Sequence, residues 1–177
     1  MPPHTSIILD LETLDTSPTS IITEIGVIAF NRSDFSERSI MELHPSLFHQ
    51  LAAGRTASAD TIGFHAKKGT LPDNVNTHNT PAKIVAWLAE FFETQTPHRV
   101  WIQGPDFDRP ILENFCNQFG AALPWDFWRT RDTRTLWDIA FPGIKHDPRP
   151  HHALADCRAT LADLQKSLQH LNCTTAS

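Results

Sequence analysis

The sequence predicts an α/β domain in which a mixed, mostly five-stranded sheet is flanked by helices. Strand-like apolar runs dominate the first 43 residues, helical apolar spacing dominates the second half, and a short strand-like segment separates two of the later helices. The 177 residues suit one domain with a full-sized core, and 40% hydrophobic residues is ordinary for a globular protein. We therefore expect a single domain over residues 1–177, with a disordered tail from about residue 172.

The strands of the first half follow one another and predict an antiparallel meander. Three segments rich in apolar or β-branched residues end at polar turns and predict strands: residues 6–13, 21–30 and 37–43. The pattern is looser over residues 44–80. Only a short helix over residues 58–68 is predicted there, with Ser58 or Asp60 as its cap.

The second half predicts helices around two short extended segments. Apolar residues recur at helical spacing over residues 81–94, 110–119, 132–141 and 152–171. Residues 99–103 predict a fourth strand, and residues 124–131 predict a short extended segment. Residues 142–150 hold three prolines and one glycine, and therefore predict a loop.

Composition restricts the class of protein. No apolar run approaches the roughly 20 residues that span a bilayer, and the first residues lack a basic region followed by an apolar one. Cys116, Cys157 and Cys173 are too widely separated for a zinc site or a disulfide framework. We therefore expect a soluble cytoplasmic protein with no membrane partner. The net charge of −5 argues against a broad cationic surface for nonspecific duplex binding.

Asp10 and Glu12 lie at the end of the first predicted strand. Strand side chains alternate between faces, so both carboxylates point the same way, roughly 6–7 Å apart along the backbone. Desolvated carboxylates on one face repel each other and need a cation, and a hard divalent ion with oxygen ligands suits them. The pair therefore predicts a metal site. The alternative is a strand end whose acids are simply solvated.

Two further acids, Asp108 and Asp156, lie where a backbone element begins, and sites are commonly assembled at such positions. His151 precedes Asp156 by five residues, which turn a helix by about 500°, so the two cannot share one helical face. They can share a site only if His151 lies just outside the last helix. Pro148 and Pro150 favour that arrangement, because they hold the histidine in a loop.

Three blocks of the sequence occur in the order typical of one nuclease family: Asp10-Leu11-Glu12-Thr13, Gly104-Pro105-Asp106-Phe107-Asp108 and His151-x-Ala153-x-x-Asp156. Through them the sequence resembles the DEDD family of 3′–5′ exonucleases, which have a ribonuclease H-like fold. That family divides by whether its last motif carries histidine or tyrosine, and this chain contains no tyrosine. The resemblance is therefore to the histidine branch (DEDDh). Residues 101–112 and 125–136 resemble its compact phage and bacterial subgroup, which contains exoribonuclease-like and exonuclease VIII-like domains.

The resemblance implies two divalent cations, Mg²⁺ or Mn²⁺, and hydrolysis of single-stranded DNA or RNA from its 3′ end to nucleoside 5′-monophosphates. Asp10 would bridge both ions. Glu12 and Asp156 would complete the ligands of the ion that carries the attacking water. Asp108 would hold the other ion, and His151 would be the general base. All-carboxylate ligation suits these hard ions better than zinc.

The resemblance further implies that Leu11, Thr13 and Phe107 line a pocket for the 3′-terminal nucleotide. The alternative for all three residues is ordinary core, which explains Leu11 nearly as well. Asp106 is the rival of Asp108, and His152 is the rival of His151. Each of four arginines has an equal alternative as a structural ion pair rather than a phosphate contact: Arg109, Arg129, Arg131 and Arg134.

Three other expectations concern function and assembly. Several tryptophans in a small domain make a homodimer a further expectation. A haloacid-dehalogenase-type phosphatase is an alternative enzyme, although its signature requires an aspartate where Glu12 stands. A catalytically weak nucleic-acid-binding or host-interaction protein on the same fold is the alternative from another class. The presence of all four acids and the histidine argues against it.

Overall fold

A computed structural model describes residues 4–72 and 77–171 and contains one mixed sheet of five strands. The strands are β1 (Thr5–Thr13), β2 (Ile22–Asn31), β3 (Glu37–Leu43), β4 (Arg99–Ile102) and β5 (Thr130–Asp132). Their order is β3-β2-β1-β4-β5, with β1 antiparallel to β2 and parallel to β4. The predicted α/β class and mixed sheet are confirmed. The tail expected to be disordered from about residue 172 lies outside the described residues.

Helices connect and cover the strands. Over the described ranges they are α1 (Leu47–Ala52), α2 (Ala59–Lys68), α3 (Pro81–Gln95), α4 (Pro105–Gln118), α5 (Thr133–Ala140) and α6 (Ala153–His170). Ser58 caps α2 by accepting the Thr61 N–H, and Asp132 caps α5. None of these helices is long and apolar enough to cross a membrane.

The start of α4 was predicted five residues too late. The helix begins at Pro105, because Gly104 adopts a φ of 81° and the fixed φ of proline suits the first helical turn. Pro110 therefore lies inside the helix rather than at its start. As a result, Asp106 and Asp108 lie in the first turn of a helix. Helix α1 was not predicted, since its six residues bury only Gln50 and so have no apolar stripe.

The sheet separates two layers of core. Ile7, Leu9 and Leu11 of β1 pack with α3 and α4 on one face. Ile8 packs on the other face against α6 and against Leu136 of α5. Because strand side chains alternate, Asp10 and Glu12 follow Ile8 onto the face that α6 covers. The side chains of Asp10 and Glu12 therefore point toward the start of α6.

Candidate active site

The predicted site residues meet at the end of β1 and the starts of α4 and α6. Carboxylate oxygens of Glu12 and Asp156 and a ring nitrogen of His151 all lie within 4.8 Å of one another. Asp10 and Asp108 are close enough to act on this cluster electrostatically. Burial, followed by the charges of Asp108, Asp156 and Glu12, raises the pKa of Asp10 well above its ordinary value. The structure thus brings the four acids and the histidine together.

Asp108 is tied to β1 by the main chain. Its Oδ1 accepts the Leu11 N–H at 3.1 Å, directly between Asp10 and Glu12. Burial raises the pKa of Asp108 to about 7, although the Leu11 hydrogen bond acts in the opposite direction. Asp106, its rival from the sequence, is exposed on the same helical turn. The first turn of α4 therefore directs Asp108, and not Asp106, toward the cluster.

Close contact between α6 and β2 places Asp156. Gly26 pairs with Asp10 across the sheet, and a Cβ on Gly26 would lie 2.5 Å from the carbonyl carbon and oxygen of Ala153. Glu24, the partner of Glu12 in the sheet, accepts the Ala153 N–H at 2.9 Å. Neither Gly26 nor Glu24 was predicted from the sequence as a site residue. The available signal was a glutamate within an otherwise apolar strand.

His151 and His152 have different surroundings. His151 has a φ of 61°, and its ring packs edge-on against Phe64 with centroids 4.9 Å apart. Burial lowers the pKa of His151, whereas the nearby Asp156 raises it. The His152 side chain is 55% exposed and its Nδ1 lies 3.4 Å from Oε1 of Glu24. Of the two histidines, His151 belongs to the cluster with Asp156.

His65 is a buried neighbour of the site that the sequence analysis missed. Its Nε2 lies 3.0 Å from the Thr13 carbonyl, which can only accept, so Nε2 carries the proton. Its Nδ1 lies 2.8 Å from the Thr70 hydroxyl oxygen. The same Nε2 lies 4.0 Å from Oε2 of Glu12. This ring links α2 to the end of β1 just beyond the acids.

A partly buried ion pair anchors the proline-rich loop before His151. Oδ2 of Asp163 in α6 accepts from Arg149 Nη2 at 2.7 Å and from His146 Nδ1 at 2.9 Å. Arg149 Nε also donates to Oε1 of Gln103 at 3.0 Å. The positive charge of Arg149 lowers the pKa of Asp10, opposing the larger effects that raise it. Arg149 therefore holds the loop and partly offsets the repulsion among the acids.

The residues expected to bind the terminal nucleotide differ in exposure. Leu11 is 5% exposed within the core and Thr13 is 4% exposed, whereas Phe107 is 37% exposed. A cavity of about 230 Å³ is lined by Glu24 and His152, among other residues. Of the three side chains, Phe107 is therefore the most exposed and the most accessible to a ligand.

The donor set fits divalent cations. Buried Asp156 has an Oδ1 atom without a hydrogen-bond partner in the described part of the chain. Burial and the neighbouring carboxylates raise the pKa of Glu12 from 4.5 to about 8. Acids held together in this way repel each other until a cation neutralises them, and hard ions with oxygen ligands suit such a set. A bound metal ion would therefore reduce the repulsion among the ionised carboxylates of this site.

We expect the metal-free protein to lose thermal stability as the pH rises from about 5 to 8. Asp108 and Glu12 have pKa values raised from 3.8 to about 7 and from 4.5 to about 8, respectively. Between the ordinary and raised values the folded chain binds more protons than the unfolded chain, so the free energy of unfolding falls with rising pH. His151 contributes a smaller, opposite trend, since its pKa is lowered.

Thermal melts with a chelator at several pH values measure this trend. Addition of Mg²⁺ or Mn²⁺ should raise the melting temperature most at pH 8, where the carboxylates are ionised and free to bind. A melting temperature that rises with pH in the chelator, or that does not respond to either ion, would contradict the expected charge repulsion.

The fold is shared with solved nuclease structures. E. coli exonuclease I in complex with a dT13 oligonucleotide matches with a TM-score of 0.70 and 16% identity, over 94% of this chain and 41% of that chain. Product-bound exonuclease I matches with a TM-score of 0.72 and 14% identity, over 97% and 45% of the two chains. The zinc-bound complex of E. coli exonuclease I with single-stranded DNA gives a TM-score of 0.71 and 16% identity, over 94% and 40%. This chain thus spans less than half the length of exonuclease I and has the ribonuclease H-like fold.

Fold and family together define a 3′–5′ exonuclease domain of the ribonuclease H-like class. The family model described as 3′-5′ exoribonuclease Rv2179c-like domain matches residues 5–167, and the chain belongs to this family. No relative among curated protein sequences matches. The predicted family and enzyme class are confirmed.

Proposed function

We propose that this chain hydrolyses single-stranded DNA or RNA from the 3′ end and releases nucleoside 5′-monophosphates, with two divalent cations, Mg²⁺ or Mn²⁺. The observation that carries the proposal is the convergence of four acids and His151 at one end of the sheet, together with an Asp156 oxygen, Oδ1, that has no hydrogen-bond partner among the described residues. The zinc-bound form of exonuclease I shows that a neighbour of the same fold can hold a metal ion with single-stranded DNA.

The four acids would hold the cations, with Asp10 between the two ions, Glu12 and Asp156 on one, and Asp108 on the other. When bound, such ions neutralise charge on the phosphate and favour ionisation of water. Asp108 is fixed for this role by the Leu11 N–H, and Asp156 by the contact of α6 with β2. Arg149 would not be a metal ligand. Its positive charge lowers the pKa of Asp10 and so favours the ionised form of that carboxyl.

His151 would act as the general base. A base must be neutral at working pH, and burial lowers the pKa of this imidazole. A ring nitrogen of His151 lies within 4.8 Å of carboxylate oxygens of Glu12 and Asp156, so a water bound to those acids would be within its reach. Edge-on packing against Phe64 fixes the plane of the ring.

We expect His151→Ala to lower turnover by about a hundredfold to ten-thousandfold, the usual contribution of a positioned base. His152→Ala is the matched control, since its side chain is largely exposed and pairs with Glu24. That variant should keep turnover within about threefold, which corresponds to less than 1 kcal/mol in the barrier. Initial rates on a labelled oligonucleotide measure both, and full activity of the His151 variant would remove its role as base.

The 3′-terminal base would contact Phe107, because this ring is partly exposed on the same helical turn as Asp108. Base stacking on an aromatic ring tolerates any sequence, which suits an exonuclease. Roles for Leu11 and Thr13 in the nucleotide pocket stay predictions, as does self-association into a homodimer.

The decisive experiment is degradation of end-labelled DNA and RNA oligonucleotides by the purified chain. Each substrate is labelled at either end and incubated with Mg²⁺, Mn²⁺ or a chelator. The proposal expects stepwise shortening of the 5′-labelled strand and direct release of mononucleotide from the 3′-labelled strand, both lost in the chelator. Binding without cleavage under either metal would instead favour a nucleic-acid-binding protein, and phosphate release from small esters would favour a phosphatase.

A further inference from the structure

A second cluster of charge lies far from the acids. A pocket of about 290 Å³ is lined by three arginines, two histidines, one serine and one tryptophan: Arg32, Arg99, Arg131, His4, His98, Ser6 and Trp101. Among the described residues, no carboxylate lines it. This concentration of cations occurs in a chain whose net charge is −5.

The pocket lies at the other end of the strands from the acids. Ser6 precedes Asp10 by four residues on β1, which separates them by about 13 Å. Arg99 begins β4 and pairs with Ser6, and Arg131 is the middle residue of β5; both strands run parallel to β1. Ser6 and Asp10 share one face of β1 with the fully buried Ile8 between them, and none of the four acids lines the pocket. The pocket is therefore a separate site.

The cations of the pocket repel one another. Burial lowers the pKa of His98, and the charges of Arg99, His4, Arg129 and Arg131 lower it further. Arg131 and Arg129 likewise lower the pKa of Arg99 after burial. Such a cluster is stabilised by an anion that accepts from several donors at once.

Donors remain available for such an anion. Arg99 donates through Nη1 to the His98 carbonyl and ring, and Arg131 donates through Nη1 to the carbonyls of Trp128 and Thr130. These bonds use one terminal nitrogen of each guanidinium and fix its position. Within residues 4–72 and 77–171 neither guanidinium pairs with a carboxylate. A guanidinium offers five N–H donors in a fork that matches phosphate oxygens.

We propose that this pocket binds a phosphate group of a nucleic acid strand, at a second site distinct from the acids and the histidine. Ten nucleotides extend over about 34 Å even when stacked, which exceeds the separation of the two sites. The site would hold an upstream part of a strand and contribute affinity without contacting the reacting bond. Strand binding at this pocket is a function additional to the proposed hydrolysis. It can be measured under conditions in which no strand is cut.

The test measures binding of the whole chain with all metal chelated, so that no strand is cut. Labelled ten-nucleotide DNA and RNA are titrated by fluorescence anisotropy at several salt concentrations, with Arg99→Gln, Arg131→Gln and the double variant. Lys83→Gln on α3 is the control, since it removes the same charge on the opposite face of the sheet. Thermal melts verify that each variant is folded. If the double variant is not folded, the strand affinity of Arg99→Gln alone tests the site.

We expect the double variant to bind about tenfold more weakly and its salt slope to fall by about 0.7, because each single-strand phosphate contact contributes about 0.7. Lys83→Gln should match the wild type. In a second arm, inorganic phosphate should shift the NMR signals of the His98 ring in the wild type and not in the double variant. Equal affinities and slopes, with no shift, overturn the site.

Two other outcomes are informative. One distinguishes a free phosphate ion from a strand phosphate as the ligand, and the other distinguishes failure of the proposed hydrolysis from failure of this site. A phosphate-induced shift lost in the double variant, with unchanged strand affinity, would identify a small free anion as the ligand and overturn the strand assignment. A chain that binds strands through Arg99 and Arg131 but never cuts them would contradict the proposed hydrolysis and support this site.

Discussion

Replacing Asp108 by asparagine is expected to lower turnover about a thousandfold, equivalent to about 4 kcal/mol in the barrier. The amide oxygen can still accept the Leu11 N–H, so the first turn of α4 should stay in place. What the variant loses is the negative charge that would hold a cation. Since burial opposes ionisation of this carboxyl, whose pKa is about 7, the metal-free variant should also melt at a higher temperature than the wild type at pH 8.

Asp106→Asn is the matched control for that experiment. It makes the same chemical change two residues earlier on the same helical turn, but at an exposed side chain. Its turnover and metal-free melting temperature should stay close to those of the wild type, because exposed surface substitutions usually change stability by less than about 0.5 kcal/mol. Loss of activity in the Asp106 variant with retention in the Asp108 variant would reverse the assignment of the ligand.

The sequence was sufficient for strands β1 to β4 and for the shared face of Asp10 and Glu12. The pattern around Asp10 and Glu12 predicts both the strand and the shared face, because side-chain alternation is a local property. The loop position of His151 also followed from local rules, since Pro148 and Pro150 exclude it from the helix. In the structure its φ of 61° places it just outside α6, as that reasoning expected.

Contacts between elements that are distant in the chain could not be predicted from the sequence. Asp163 appears in the sequence as one more polar position of a helix, yet it binds Arg149 and His146 in the preceding loop. His65 is read as part of a short helix, and only the folded chain places it 4.0 Å from Glu12. The start of α4 differs from its predicted position for another reason: proline is compatible with the start of a helix, and the sequence offers both Pro105 and Pro110 for that role.

Gly26→Ala should be the most damaging substitution outside the acids and the histidine. Its new Cβ would lie 2.5 Å from main-chain atoms of Ala153, which cannot rotate away as a side chain can. Overpacking of this kind costs about 3 kcal/mol, which lowers the melting temperature of a chain this size by about 10 °C. Thermal melts and initial rates on a labelled oligonucleotide measure the two effects. Turnover should fall by about a hundredfold, because moving Ala153 displaces both His151 and Asp156.

Gly63→Ala separates this steric effect from the general effect of replacing a glycine. Gly63 lies within α2, and a Cβ there would meet nothing within 4 Å. Alanine is favoured over glycine inside a helix by about 1 kcal/mol, so this variant should melt slightly higher and keep its activity. If Gly26→Ala instead melted like the wild type, the start of α6 would not be held against β2. The position of Asp156 would then need another explanation, since Gly26 is what allows the helix to approach the strand that carries Glu24.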